Sequence, residues 1–257
     1  MKTDYYTISN VGYKRKNNED YMLVAAELGL YMLADGMGGH LGGEEASKLA
    51  LTTIKRFFEE NPNITEEEIN KLQEFPDSLS LSARKLSYAI IKANADIIKK
   101  AETDPDLNGM GTTIVAIHES LGDLYLSHVG DSRIYMLRDG TFRQVTEDHS
   151  VFNEEKKRGI LSVAQLKEMP FGKRLVRALG HMDKSLVDLQ VVHPQRGDVF
   201  LLCSDGLTDM VEDEGIEQTL KESSEDMEKA GNELVRKALN GGGADNISIV
   251  LLRINEL

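Results

Sequence analysis

A single cysteine, Cys203, stands in the 257 residues, so no disulfide can close within the chain, which agrees with a reducing compartment. No apolar stretch approaches the roughly 18 residues that a membrane helix needs, which excludes a membrane-spanning protein. The opening residues Met1-Lys2-Thr3-Asp4-Tyr5-Tyr6 are polar and lack the apolar core of a secretory signal, so the cytoplasm is the expected location. Positive charge is also short: 30 Lys and Arg against 43 Asp and Glu leave a formal net charge of −13. Such a chain repels phosphate backbones and anionic lipid, and neither nucleic acid nor membrane is expected as a partner. Internal repeats, linkers and low-complexity tracts are missing, and 40% hydrophobic residues suffice for a core. One domain over residues 1–257 is expected.

Several motifs are missing as well. Gly36-Met37-Gly38 begins like a dinucleotide fingerprint, but the next required glycine falls on Leu41, and no Lys-Ser or Lys-Thr follows as in a nucleoside-triphosphate loop. His118, His128, His149, His181 and His193 share no common spacing and read as strand or loop histidines. Cys203 ends a buried run, where a thiol packs and stays inert.

What the chain does have is acids at strand ends. The run Leu30-Tyr31-Met32-Leu33-Ala34 reads as a buried strand that stops at Asp35-Gly36, followed by a glycine-rich turn and an amphipathic helix from about Glu44. Without a side chain, Gly36 lets a ligand approach the main-chain carbonyl. The strand-then-acid pattern recurs at Val129-Gly130-Asp131 and Cys203-Ser204-Asp205-Gly206, and in reverse at Asp245-Asn246. Asp20 stands at a further strand boundary, so five acids can converge at one end of a sheet or sandwich. All-oxygen ligands, with no Cys or paired His at metal spacing, select magnesium or manganese over zinc. Two such ions can hold a bridging water as hydroxide and neutralise a phosphoryl group, and phosphate-ester hydrolysis is the natural reaction. Arg15 would complete the site by gripping two phosphate oxygens, although Val11 to Asp20 reads equally as a solvated loop.

Periodicity predicts helices over about 44–60, 79–101, 213–221 and 224–239, with a charged connector at 61–77 carrying a helical turn after Thr65. Strands are expected at about 21–26, 112–118, 124–129, 134–137, 142–145, 189–192, 199–203 and 246–254, with Asp139-Gly140 a hairpin turn. Consecutive hairpins predict an antiparallel sheet, and the helices need a sheet to lie on, giving an α+β class. Residues 149–186 break the strand rhythm as an insertion, with Ser162 to Gln165 a capping-box candidate.

Six stretches then occur in order: Arg15-Lys16-Asn17-Asn18-Glu19-Asp20, Ala34-Asp35-Gly36-Met37-Gly38-Gly39-His40, Gly111-Thr112-Thr113, Val129-Gly130-Asp131-Ser132-Arg133, Cys203-Ser204-Asp205-Gly206-Leu207 and Gly243-Ala244-Asp245-Asn246. Together they resemble the metal-dependent type-2C serine/threonine protein phosphatases, in particular their bacterial branch, over nearly the whole chain. The resemblance implies an antiparallel β-sandwich flanked by helix pairs, with two manganese or magnesium ions at one end and a weaker third. It implies that Asp35 bridges the ions, that the Gly36 carbonyl, Asp20, Asp205 and Asp245 bind them, and that Glu19 holds an ion-bound water. Arg15 would bind substrate phosphate, while Asp131, with Asp205 and Asp209, would form the third position and 149–186 the family's variable flap. Where animal members have a histidine as proposed general acid, this chain has Met37, so His40 or a metal-bound water is the proton donor to consider. The implied activity is hydrolysis of phosphoserine and phosphothreonine in proteins, opposing a serine/threonine kinase, by a monomer. Two other readings stay open: a phosphoprotein-binding regulator without turnover, and a phosphatase of small phosphomonoesters or nucleotides.

Overall fold

Runs such as residues 30–34, 114–117 and 199–203 are buried along their whole length, so both of their faces must be covered. In the computed structural model, which describes residues 1–38, 41–160, 165, 171–172, 174–181, 187–223 and 225–257, two antiparallel sheets stack face to face with helices on the outside of each. One sheet has the order β2 (Asp20–Ala25), β3 (Leu30–Met37), β5 (Ile114–Ser120), β6 (Asp123–Val129) and β9 (Asp188–Val192), and β4 (Gly111–Thr112) adds to the end of β3. The other runs β1 (Lys2–Asn10), β11 (Ile247–Glu256), β10 (Val199–Cys203), β7 (Arg133–Arg138) and β8 (Thr141–Gln144).

Alternation sorts the side chains into three layers. Tyr31, Leu33, Val115 and Ile117 of one sheet meet Ile134, Phe200, Leu202, Val250 and Leu252 of the other between the sheets. Leu30, Met32 and Ala34 point the opposite way, onto α1 (Gly42–Glu60) and α3 (Leu81–Thr103). Leu201, Cys203, Ile249 and Leu251 likewise meet the helices that follow β10, namely the short α5 (Asp205–Thr208), α6 (Asp213–Glu222) and α7 (Met227–Asn240). Two further helices, α2 (Glu66–Leu72) and α4 (Val151–Arg158), lie in the connections.

The architecture is the one expected, with differences in detail. Helix α2 is a full capping box, Thr65 accepting from the Glu68 amide while Glu68 accepts from that of Thr65. The candidate capping box at 162–165 lies outside the described residues except for Gln165. Strand β3 does not stop at Asp35 but continues to Met37, because β4 pairs with Gly36 and Met37. Strand β1 was not foreseen. The Asp139-Gly140 turn is present, both residues at positive φ (49° and 73°), as a two-residue hairpin demands.

The expected single run of hairpins divides between the sheets. The β5–β6 hairpin belongs to one and the β7–β8 hairpin to the other, and the chain crosses over at Gly130-Asp131-Ser132. Gly130 sits at φ +109°, and a Cβ there would come within 2.6 Å of Thr113 Cγ2, so only glycine makes this crossing. Residues of the 149–186 insertion return onto the scaffold: Leu179 exchanges backbone hydrogen bonds with Thr112, Val176 donates to the His149 carbonyl, and the Gly180 amide donates to Asn94 Oδ1.

Candidate metal centre

The same alternation decides where the acids point. On β3, Tyr31 and Leu33 face the other sheet, so Asp35 does too, one step past the last apolar side chain. Asp20, its cross-strand partner on β2, continues the face of Met22 and Val24. On β10 the inter-sheet series Phe200, Leu202 is followed by Ser204, and on β11 the series Leu252, Val250 reaches Ser248 and then Asn246. The apolar layer between the sheets therefore turns polar at one end.

That floor is tied together by hydrogen bonds. Ser204 Oγ donates to Asp20 Oδ2 at 2.8 Å and accepts from the Ser248 amide at 3.0 Å. Asn246 receives the Glu19 amide on Oδ1 (2.8 Å) and donates from Nδ2 to the carbonyls of Val11 (2.9 Å) and Asn17 (3.0 Å), which pins the loop carrying Arg15. The Asp35 amide donates to Thr113 Oγ1 (3.0 Å), the Asp35 carbonyl accepts from the Thr113 amide (2.8 Å), and Thr113 Oγ1 meets Ser132 Oγ at 2.7 Å. Strand β3 is thereby linked to the residue after Asp131.

Gly36 and Gly43 bring β3 and α1 into backbone contact, a Cβ on Gly36 falling 2.0 Å from the Gly43 carbonyl oxygen. Glu19 fits against this contact, its Oε2 only 2.7 Å from where a Gly43 Cβ would stand. Gly206 packs as tightly on Asn246, which holds Asp205 at the start of α5.

Electrostatics show which expected residues come together. Asp35 is pushed well above the usual carboxylate range, first by burial and then by Asp20, Asp205, Asp131 and Asp245. Asp20, only 8% exposed, is pushed to about 7 by burial, with Asp205 and Asp245 raising it further against hydrogen bonds from Ser248 and Ser204. Asp131 also reaches about 7, through burial and the charges of Asp205, Asp148 and Asp209. Arg15 Nη2 donates to Asp245 Oδ2 at 2.6 Å, a pairing that raises the guanidinium's own pKa. The charges of Asp20, Asp131, Asp205 and Asp245 thus all bear on Asp35, Arg15 closes one side, and Asp209 is the exposed C-cap of α5. His40 lies outside the described residues.

The donor set fits divalent cations. Asp20 Oδ1 is buried without any hydrogen-bond partner, a costly arrangement for an oxygen unless a cation or proton completes it. The acids at the centre offer only oxygen, which suits magnesium or manganese, while the room that Gly36 leaves is filled by the Gly43 and Glu19 carbonyls and not by open space for a ligand. Ser204, Ser248, Asn246, Thr113 and Ser132 support the acids and were missed from the sequence as individuals. The signal that finds them is their place on the inter-sheet face just past the apolar series.

The protein phosphatase 2C family model matches residues 26–247, a span that holds Asp35, Asp131, Asp205 and Asp245. A serine/threonine phosphatase, stp, of Listeria innocua is 38% identical over 227 residues, covering 88% of this chain and 84% of that protein. Among solved structures, the Mycobacterium tuberculosis serine/threonine phosphatase PstP/Ppp aligns with a TM-score of 0.84 at 34% identity over 99% of both chains. The catalytic domain of PstP in complex with two manganese ions aligns at 0.80 and 34%, again over 99% of both. With sequence and fold in agreement across the whole sandwich, the chain belongs to the protein phosphatase 2C family of serine/threonine phosphatases.

Proposed function

We propose that this chain hydrolyses phosphoserine and phosphothreonine in proteins at the acidic end of its sandwich, with manganese or magnesium held by Asp20, Asp35, the Gly36 carbonyl, Asp205 and Asp245. The observation that carries the reading is the buried, unpartnered Asp20 Oδ1 beside Asp35, with burial and the charges of Asp205 and Asp245 raising the pKa of both carboxyls. When bound, the ions supply Lewis acidity, acidifying water and screening phosphoryl charge. The protein's own residues do the rest. Asp35 lies central to the cluster, as a carboxylate shared between two ions should. Glu19, against the start of α1, accepts from a water at the site, and Asp131 with Asp205 and Asp209 forms a third, weaker position. With Met37 where a histidine would stand, His40 or a metal-bound water would be the proton donor to the leaving group.

The site draws every ligand from one chain, which supports a monomer, and residues 1–257 act as a single domain with 149–186 as its flap. The product of a serine/threonine kinase is the substrate this chemistry requires. A cytoplasmic location is read from the single cysteine, Cys203, which is buried and leaves no disulfide to form within the chain. Phosphate release from phosphoserine, phosphothreonine and phosphotyrosine peptides, with manganese and with chelator, tests the reading. Release from the first two, abolished by chelator, is expected; full turnover in metal-free protein overturns it.

Metal affinity should depend steeply on pH, because Asp20, Asp35 and Asp131 must lose protons to bind cations. In the metal-free protein these groups have pKa values above their unfolded ones, so the stability they contribute is full below about pH 4 and lost as pH rises through about 7. Manganese reverses the preference. Calorimetry should show affinity rising on the order of ten-fold from pH 6 to pH 8, with protons released into buffer at the lower pH. Affinity that does not change with pH, and no proton release, would take these carboxylates out of the metal site.

Arg15 keeps guanidinium donors beyond the Nη2 contact to Asp245, and its side chain is 48% exposed, so it can reach a phosphate while anchored. Because the substrate dianion is charged before reaction, Arg15→Ala should raise KM more than it lowers kcat. Unchanged KM and kcat would return Arg15 to a solvated loop residue.

A further inference from the structure

We propose that His149 is a positioning residue that clamps the Gly130–Asp131 crossover and links it to the base of the 149–186 insertion. This rests on the reading of Asp131 as a metal-site carboxylate. Both hydrogen-bonding groups of the Gly130 backbone go to this one residue: the Gly130 amide donates to His149 Nδ1 at 3.1 Å, and the Gly130 carbonyl accepts from the His149 amide at 2.8 Å. Neither group has a ladder partner, because the chain is leaving one sheet for the other. The glycine conformation that permits the crossing also leaves it free to swing, and the imidazole supplies the missing constraint.

Hydrogen-bond logic fixes the ring. An amide N–H can only donate, so Nδ1 carries the lone pair, the proton of the neutral ring sits on Nε2, and Arg177 Nη1, itself a donor only, bonds Asp188 and not the ring although it lies 3.2 Å from Nε2. Nε2 faces Asp188 Oδ2 at 3.4 Å, while Asp188 Oδ1 accepts from Arg177 Nη1 at 2.8 Å. His128 stacks on the other side, ring centres 4.6 Å apart, and its Nε2 donates to the Glu147 carbonyl at 2.8 Å. His149 is 2% exposed, and burial together with His128 and Arg177 pushes its pKa down to about 4, keeping the ring neutral at ordinary pH. His128, His149 and Asp188 do place ligand atoms within 4.8 Å of one another, as a cation site would. Their hydrogen bonds assign them otherwise: the Nδ1 lone pair of His149 is committed to Gly130, its Nε2 is protonated, and the Arg177 guanidinium stands 3.2 Å from it.

The chain of contacts runs from the insertion to the site. Arg177 holds Asp188, Asp188 faces the Nε2–H of His149, His149 holds Gly130, and Gly130 sets the direction of Asp131. Partners that orient a ligand in this way typically contribute 10–100-fold in metal affinity or activity.

The test compares His149→Ala with His149→Asn, whose Oδ1 can take the place of Nδ1 and accept the Gly130 amide. His149→Ala is expected to speed hydrogen exchange at the Gly130 amide, to weaken the lower-affinity manganese site in calorimetry by about ten-fold, and to lower kcat by a similar factor with KM unchanged. His149→Asn should restore most of each. Asp188→Asn, which keeps the fold's surface intact but loosens the ring, should fall between them. Wild-type exchange, ion binding and kcat in a folded His149→Ala protein would overturn the proposal, and so would equal damage in the alanine and asparagine variants. Asp131→Ala run beside them separates the two readings. If it leaves ion binding and kcat untouched, the role of Asp131 fails, while exchange at Gly130 still decides whether His149 is the clamp.

Discussion

Asparagine at position 35 should lower kcat by roughly 10²-fold or more at saturating manganese, because a central carboxylate that positions the attacking water cannot be replaced by a neutral amide. Asp35 pairs across the strand with Asp20 and lies in the fields of Asp20, Asp205, Asp131 and Asp245. In chelator the same substitution should not lower the melting temperature and should raise it at pH 8, since it removes one member of a mutually repelling group. The combination is diagnostic: activity falls while the metal-free fold holds or gains. A variant with near-normal turnover would remove Asp35 from the centre, and one that melts far lower would show a packing role instead.

Asp131→Ala is expected to keep the two tighter manganese ions, to lose a weaker one, and to turn over on the order of 10²-fold more slowly, the usual cost of losing one electrostatic stabiliser. The position of Asp131 at the crossover gives it a second reading. Its carboxylate also accepts a hydrogen bond from its own backbone, as a turn-capping aspartate does. Capping alone would cost about 1 kcal/mol of stability with kcat intact. Ion titration and kcat on the same variant separate the two, and an unchanged ion count with normal turnover assigns Asp131 to the turn.

That the acids of the candidate site come together was legible because each ends or begins an apolar run, a pattern that solvated surface does not produce five times. The sandwich was legible for a related reason: runs such as Leu30 to Ala34 and Ile247 to Leu252 are apolar on both faces and need cover on both. The partition of strands between sheets was not, because the hairpin signals around Gly122 and Gly140 are alike whether or not the chain changes sheet between them. Helix α5 has four residues, too few for a period, and follows the strand with only Ser204 between them. The polar floor escaped because a lone Ser204 or Thr113 carries no local mark. Its meaning comes from register, from standing one step past Leu202 or opposite the Asp35 backbone. His149 was set aside as an ordinary loop histidine for want of spacing to other ligands, and its partners are backbone groups that no side-chain motif could announce.

Strand β11 lies inside its sheet, between β1 and β10, although the ribosome makes it after every other strand of the domain. Until it emerges, β1 and β10 each present an open edge, and Asp245 and Asn246 are absent from the site. A nascent chain therefore cannot bring Asp245 to the other acids before β11 has emerged and paired. Pairing residue 2 with residue 256 also gives long-range contacts that close late, which points to slow folding with exposed edges as the hazard. Truncation within 245–257 should for this reason yield aggregates instead of a weakened phosphatase.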